Sequence, residues 1–188
     1  MMIIFQKYFV RVVLVILMSM LFLGLTVKYS TLEEITENSQ LIVHGKVKSL
    51  HSAWENDNIY TFATIEISDV IKGVEQNKQI TIRQLGGTVG DMTQEISGTP
   101  VFWKDSEVFL FLVDWKGAYW INSIVLGYYE VVEVNGLKYA VNNFNDVEFF
   151  DSKTGQPIED KELVKANYEL VSLKSQIRSL VSGSEVQK

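Results

Sequence analysis

Glu107-Val-Phe-Leu-Phe-Leu-Val113 holds the longest unbroken apolar run outside the N-terminus, Val108–Val113, with Lys104-Asp105-Ser106 before it and Asp114 after it. A run this short and this rich in Val and Phe reads as a strand buried on both faces, although periodicity alone does not separate it from a buried helix. Burying its five large side chains, Phe109 to Val113, stabilises by roughly 1.5–3 kcal/mol each before entropy is counted. Such a strand sits centrally in a sheet or barrel, and its neighbours must cover it.

The neighbours are legible on either side. Leu41-Ile-Val-His-Gly-Lys-Val-Lys-Ser-Leu50 reads as a strand, with Val43, Gly45 and Val47 on one face and His44, Lys46 and Lys48 on the other. A second strand is expected over about Ile59–Ile71, with Thr61, Ala63, Ile65 and Ile67 on one face. Its phase breaks at Asp69-Val70-Ile71, which marks a bulge or the strand end. Gln79–Arg83 is a third strand with Ile80 and Ile82 inward. Gln84–Ser106 reads as a long irregular connection containing Gly86, Gly87, Gly90, Gly98 and Pro100, and structureless loops of that length are often functional. After the central run come strands over Ala118–Val125 and Tyr128–Val134. Asn135-Gly136 is a two-residue hairpin signal, Leu137–Val141 returns, and Val147–Phe150 adds a last short strand.

Thr31-Leu-Glu-Glu34 has the capping-box pattern, so a short helix follows over about Leu32–Ser39. From Glu159 to Val181 the period turns helical. Leu163, Leu170 and Ile177 recur every seven residues, and Ala166, Leu173 and Leu180 do the same. This stripe is either a helix laid against the body or a self-association seam. Ser182–Lys188 is a polar tail. The fold class is therefore mainly β, a small antiparallel OB-like barrel or sandwich with an N-terminal export or anchor helix and a C-terminal amphipathic helix. The expected division is 1–30 for the export segment, 31–150 for the β domain and 151–188 for the C-terminal helix and tail.

Lys7 and Arg11 precede Val12–Val27, sixteen residues without a charge. A basic stretch before an apolar one is a Sec-type export signal, so everything after Lys28 is expected to face outward. Val12, Leu14, Ile16, Leu21, Phe22 and Leu25 represent the membrane segment. Sixteen helical residues rise about 24 Å, a little short of the roughly 30 Å hydrocarbon core. Met2–Phe5 extend the apolar stretch, while Gly24-Leu25-Thr26 is the best small-x-small match for cleavage. An uncleaved anchor and a cleaved signal both fit.

The formal net charge is −6 over 188 residues, and all 23 acidic residues lie at or beyond Glu33. Nucleic-acid binding needs a basic stripe on phosphates, which this distribution lacks. With no cysteine in the chain, disulfides, thiolate zinc sites, cysteine nucleophiles and an acylated cysteine are excluded.

Five stretches together carry a resemblance. They are Leu41-Ile-Val-His-Gly-Lys-Val47, Tyr60-Thr61 leading to Val70-Ile-Lys-Gly73, Gly86-Gly87, Gly98-Thr-Pro-Val-Phe102, and Asp105-Ser-Glu107 before the apolar strand. Over about Thr31–Val141 the chain resembles a group of secreted, largely uncharacterised bacterial domains with an OB-like barrel. These are distantly similar to the netrin-like module of the tissue inhibitors of metalloproteinases. Those inhibitors act through an N-terminal cysteine that reaches the protease zinc, and this chain has none, so that mechanism does not transfer. The resemblance implies a fold and an extracytoplasmic address, with function open.

Reactive constellations are sparse. His44 and His51 are the two histidines, and seven apart on a regular strand they face opposite sides, so a shared metal needs a bulge between them. A Ser–His–acid triad needs one of them as base, and no Gly-x-Ser-x-Gly elbow is present. Asp91, Glu95, Asp105 and Glu107 offer carboxylate pairs for glycoside cleavage, against the ordinary reading of turn formers and solvated charges. Gly86-Gly-Thr-Val-Gly90 lacks the Gly-Lys-Ser/Thr ending of a phosphate loop. Trp54, Trp103, Trp115 and Trp120 either pack in the core or stack on sugars and anchor interfaces. Trp103, beside Lys104, is the one expected to be partly exposed.

The expectation is a non-enzymatic domain without a cofactor or metal, exported or membrane-anchored, that binds a protein partner at the bacterial cell envelope. Gly86, Gly87, Gly90, Trp103 and Lys104 form the candidate interaction surface. The alternative is a carbohydrate- or cell-wall-binding module, and a hydrolase using loop carboxylates is third.

Overall fold

The computed structural model describes residues 25–142, 147–151, 154–158 and 167–185. In chain order the elements are β1 (Leu25–Lys28), α1 (Leu32–Asn38), β2 (Leu41–Glu55), β3 (Asn58–Lys72), β4 (Gln79–Leu85), β5 (Gly87–Val89) and β6 (Met92–Gln94). They continue as β7 (Glu107–Trp115), β8 (Ala118–Ile121), β9 (Tyr128–Val134), β10 (Leu137–Val141), β11 (Val147–Phe150), β12 (Asn167–Glu169) and α2 (Leu170–Glu185). The chain is mainly β, with one large antiparallel-rich sheet and two helices among the described residues.

The apolar run forms β7, and Val108, Phe109, Leu110, Phe111 and Leu112 are all fully buried. Its alternation feeds two separate cores. Val108, Leu110 and Leu112 pack with Val43, Val47, Ile65 and Ile82 on one face. Phe109 and Phe111 pack on the other with Ile42, Tyr129, Leu173 and Ile177. Both faces are covered, as a strand with no polar face requires.

β7 lies between β9 and β2 in a sheet ordered β12-β10-β9-β7-β2-β3-β4-β8. The ladder then returns on itself, because β8 pairs in parallel with β4 at Ile82↔Tyr119 and antiparallel with β7 from Leu112↔Ile121 to Trp115↔Ala118. The long β2–β3 pair carries three register shifts, between Ile42/Val43, His44/Gly45 and Val47/Ser49. Bulges of this kind bend a strand and raise its twist, so one strand pairs with β7 at its start and reaches a distant tip at its end. At Gly45 an added Cβ would lie 2.5 Å from the Glu66 carbonyl oxygen and 2.8 Å from Ile65 Cγ2, so the strands touch where a side chain has no room.

Several expectations are revised in detail. The connection 84–106 is not structureless: β5 and β6 pair as a small hairpin within it. The strand after the β7 hairpin ends at Ile121, and Asn122–Gly127 turn, with Gly127 N donating to Ser123 O at 2.9 Å. The C-terminal helix begins at Leu170 and runs to Glu185, into the expected tail. Asn167–Glu169, expected as helix, instead extends the sheet as β12 against β10, where the open edge of the hairpin offers backbone partners. Leu163 and Ala166 lie outside the described residues. Leu170, Leu173 and Ile177 are buried within the chain itself, so the apolar stripe covers Phe109 and Phe111.

α1 starts at Thr31 with both bonds of the capping box in place, Glu34 N to Thr31 Oγ1 and Thr31 N to Glu34 Oε2, each 3.1 Å. Asn135 and Gly136 take φ of 52° and 80°, the two positive angles that a tight β9–β10 hairpin needs. Leu25, expected at the end of the membrane segment, starts β1, which pairs in parallel with β11 from Leu25↔Val147 to Lys28↔Phe150. Val12, Leu14, Ile16, Leu21 and Phe22 lie outside the described residues. Among the described residues no helix is long and apolar enough to cross a membrane.

Candidate functional site

The outward face of β3 carries Tyr60 and Phe62, because Ala63 and Ile65 take the inward positions. On β4, Ile80 and Ile82 point inward, which turns Arg83 outward opposite Phe62. On β8, Tyr119 and Ile121 pack toward the core, which leaves Trp120 outward, one residue beyond the Ile82↔Tyr119 pair and so beside Arg83. On β7, Trp115 follows the parity of Phe109 and Phe111 and ends the strand beside the Lys116-Gly117 turn.

These side chains form one band. The Arg83 guanidinium lies 4.0 Å from the Tyr60 ring centroid and 5.3 Å from that of Trp120. Tyr60 and Trp120 meet edge to face at 6.1 Å, and Trp120 and Trp115 at 5.6 Å. Lys116 Nζ caps the Trp115 ring at 4.5 Å. On the other flank His51 stacks flat on Phe62, centroids 4.9 Å apart and 15° between planes. Glu55, at the end of β2, holds Arg83 Nη2 in a short ion pair. The band thus crosses β2, β3, β4, β8 and β7, flanked by the Asn56-Asp57 and Lys116-Gly117 turns.

Its electrostatics are nearly balanced. Arg83 is matched by Glu55, and Lys116 is two residues from Asp114, which accepts from Gly117 N at 2.9 Å. Arg83 Nε and Trp120 Nε1 are buried with no hydrogen-bond acceptor. The rings around the guanidinium supply cation–π attraction instead, worth about 0.5–2 kcal/mol. Trp115 remains 55% exposed, a large apolar ring fixed in place at the surface.

The expected interaction residues separate into scaffold and surface. Gly86 donates its N–H to Ile59 O at 2.8 Å. Gly87 takes φ of 142°, and an added Cβ there would collide with Thr61 Oγ1 and Ser52 Oγ, so it seats the hairpin directly on β2 and β3. Gly90 forms the exposed hairpin tip. Trp103 is 63% exposed, and Lys104 is exposed in the turn before β7. That turn is held by Asp105 N donating to Val47 O at 2.8 Å and by Ser106 Oγ donating to Trp103 O at 2.7 Å. Val47 and Ser52 are five residues apart on β2, about 16 Å at strand rise, so the glycines and Trp103 occupy different parts of the surface. Between them the connection turns inward, and Phe102 is buried edge-on against Tyr128.

The histidines have different partners despite the bulges between them. His51 is exposed on Phe62, and His44 is buried between Glu107 and Lys174. Among the described residues no three His, Asp or Glu side chains converge as a metal site. Asp91 and Glu95 are exposed at and beyond the β5–β6 hairpin, Asp105 faces Lys46 at 3.4 Å, and Glu107 is committed to His44 and Lys138. Arg83 and Glu55 carry no functional signal in the sequence, and Tyr60 enters there only as part of the Tyr60-Thr61 stretch of the resemblance. Strand alternation places Tyr60 and Arg83 outward, but the β4–β8 pairing that gathers them joins residues nearly forty positions apart. No protein-family model matches the chain, and no curated protein matches it.

Proposed function

We propose that this chain is a non-enzymatic binding domain of the bacterial cell envelope, and that its ligand seats on the aromatic band. The single observation that carries the reading is the band's composition. Trp115, Trp120, Tyr60 and Arg83 are the residue types that dominate binding energy at protein interfaces, and here they are pre-assembled by ring and ion-pair contacts. Pre-assembly lowers the ordering cost of association. A protein partner is therefore the first reading. Export rests on Lys7, Arg11 and the uncharged Val12–Val27 stretch, which either anchors the chain or is removed.

We also infer an OB-like barrel. Its support is the pairing circuit β7–β2–β3–β4–β8–β7, with β4 and β8 parallel. In that architecture the face of the second and third barrel strands, here β3 and β4, carries ligands. A glycan is the second reading, favoured by the half-exposed Trp115 ring in the same band as the Glu55–Arg83 pair, with Trp120 between them, since sugars take one stacking face and directional polar groups.

External crosslinking on intact cells producing the tagged full-length protein, followed by pull-down and mass spectrometry, tests both. One reproducible protein partner, lost in a Trp115→Ala/Trp120→Ala variant, is the expected result. Recovery of wall polymer, lost in the same variant, selects the glycan reading. Capture unaffected by the variant removes the band as the site.

A further inference from the structure

Six charged or titratable side chains from five elements meet beneath α2. His44 of β2 is 6% exposed. Its Nε2 lies 2.6 Å from Glu107 Oε1 of β7, and its Nδ1 lies 3.0 Å from Lys174 Nζ of α2. Lys174 also meets Asp69 Oδ2 of β3 at 2.9 Å, and Arg178 donates to both Asp69 oxygens at 2.8 and 3.0 Å. Lys138 of β10 braces Glu107 at 2.7 and 2.8 Å. Lys46, two residues further along β2, turns to Asp105 instead.

An ammonium has no lone pair, so Lys174 donates and Nδ1 accepts. Nδ1 therefore carries no proton, and Nε2–H donates to Glu107. This is the neutral ring. An imidazolium carries hydrogens on both nitrogens and has nothing to offer Lys174.

We propose that His44 is an acid-sensitive latch for α2: a proton on Nδ1 breaks the Lys174 bond, sets two cations against each other, and releases the helix and its Leu170, Leu173 and Ile177 face from the β body. Burial, followed by the charge of Lys174, already holds the ring's proton affinity below its ordinary 6.5, against the pull of Glu107. The folded chain thus favours neutral His44, while the unfolded or released chain takes up a proton near 6.5. The docking contribution is complete above about pH 6.5 and is lost as pH falls below it.

The two carboxylates respond elsewhere. Burial raises Asp69, but bonds and charges from Lys174 and Arg178 outweigh it and leave it below its ordinary 3.8. Burial raises Glu107, but Lys138 and His44 leave it below 4.5. Their contributions persist until pH falls below those values. Between pH 6.5 and 4.5 neither carboxylate contribution is lost, so a change in docking there traces to His44.

Hydrogen exchange of the full-length chain at pH 7.5 and 5.5, corrected for intrinsic rates, tests the latch. The expected result is a fall in protection across α2, bounded at about tenfold because pH 5.5 lies one unit below the released ring's 6.5, with the β2–β3 ladder unchanged. In His44→Gln the side chain still accepts from Lys174 and donates to Glu107 but does not titrate, so α2 protection should be flat. Equal loss across α2 and the ladder overturns the proposal, as does constant α2 protection in the unaltered chain. Should His44→Gln not fold, ring resonances of His44 in the unaltered chain decide. Opening of α2 with a midpoint that departs from the His44 titration overturns it.

Discussion

Phe109, Phe111 and Trp115 project from the same face of one strand and meet opposite fates. Phe109 and Phe111 are fully buried, in one cluster with Ile35 of α1, Leu173 and Ile177 of α2, and Tyr129 of β9. Trp115, four residues beyond Phe111, is half exposed beside a hairpin tip. The inward side of the strand shows no such division, since its apolar residues through Leu112 are closed by β2, β3 and β4. An outer sheet face rich in large rings must be covered or used. Helices and a second hairpin cover the lower half here, and an ion pair and edge-to-face contacts organise the upper half without closing it.

Truncation in the covered half has the largest expected effect. Phe111→Ala empties a site where one ring contacts Phe109 at 5.6 Å and Tyr129 at 6.2 Å. Urea unfolding should show a loss of about 3–5 kcal/mol. A loss under about 1 kcal/mol would mean that α2 closes onto the gap, and that the covered half is as adaptable as the open one.

The covered half was largely legible in the sequence, and the open half was not. Val108–Val113 announces a doubly buried strand, because no polar residue interrupts it. Thr31 with Glu34 announces the helix start, and Asn135-Gly136 the hairpin, because each signal is local. Two kinds of information lie outside such signals. One is the pairing of β4 with β8, a long-range event that brings Arg83 to Trp120. The other is competition between periods: Asn167–Glu169 lies in a heptad pattern, yet the open edge of β10 captures it as a strand. Glycine alone likewise did not distinguish contact from scaffold. Gly86 and Gly87 are required for close packing, a role that loop composition does not separate from ligand binding.

Arg83→Lys gives an intermediate effect and tests whether the open half is held by geometry or by charge. Lysine keeps the charge but loses the planar group that faces Tyr60 and Trp120 while reaching Glu55. The expected cost is about 1–2 kcal/mol, with weakened ligand capture. Unchanged stability and capture would show that the stacked guanidinium organises nothing.

Trp115→Ala should have the smallest effect on folding, which makes it the sharpest test of the comparison. The ring touches Trp120 edge-on and Lys116, and more than half of it faces solvent. Losing one aromatic pair costs about 0.5–1 kcal/mol. A residue kept only for packing would then have little to lose on truncation, whereas a ligand-contacting ring would lose most of its binding. Paired measurements, unfolding in urea and recovery of the crosslinked partner, separate the two. Near-unchanged stability with abolished recovery makes the open half a binding surface. A loss as large as that of Phe111→Ala would place Trp115 in the core, and the division along β7 would disappear.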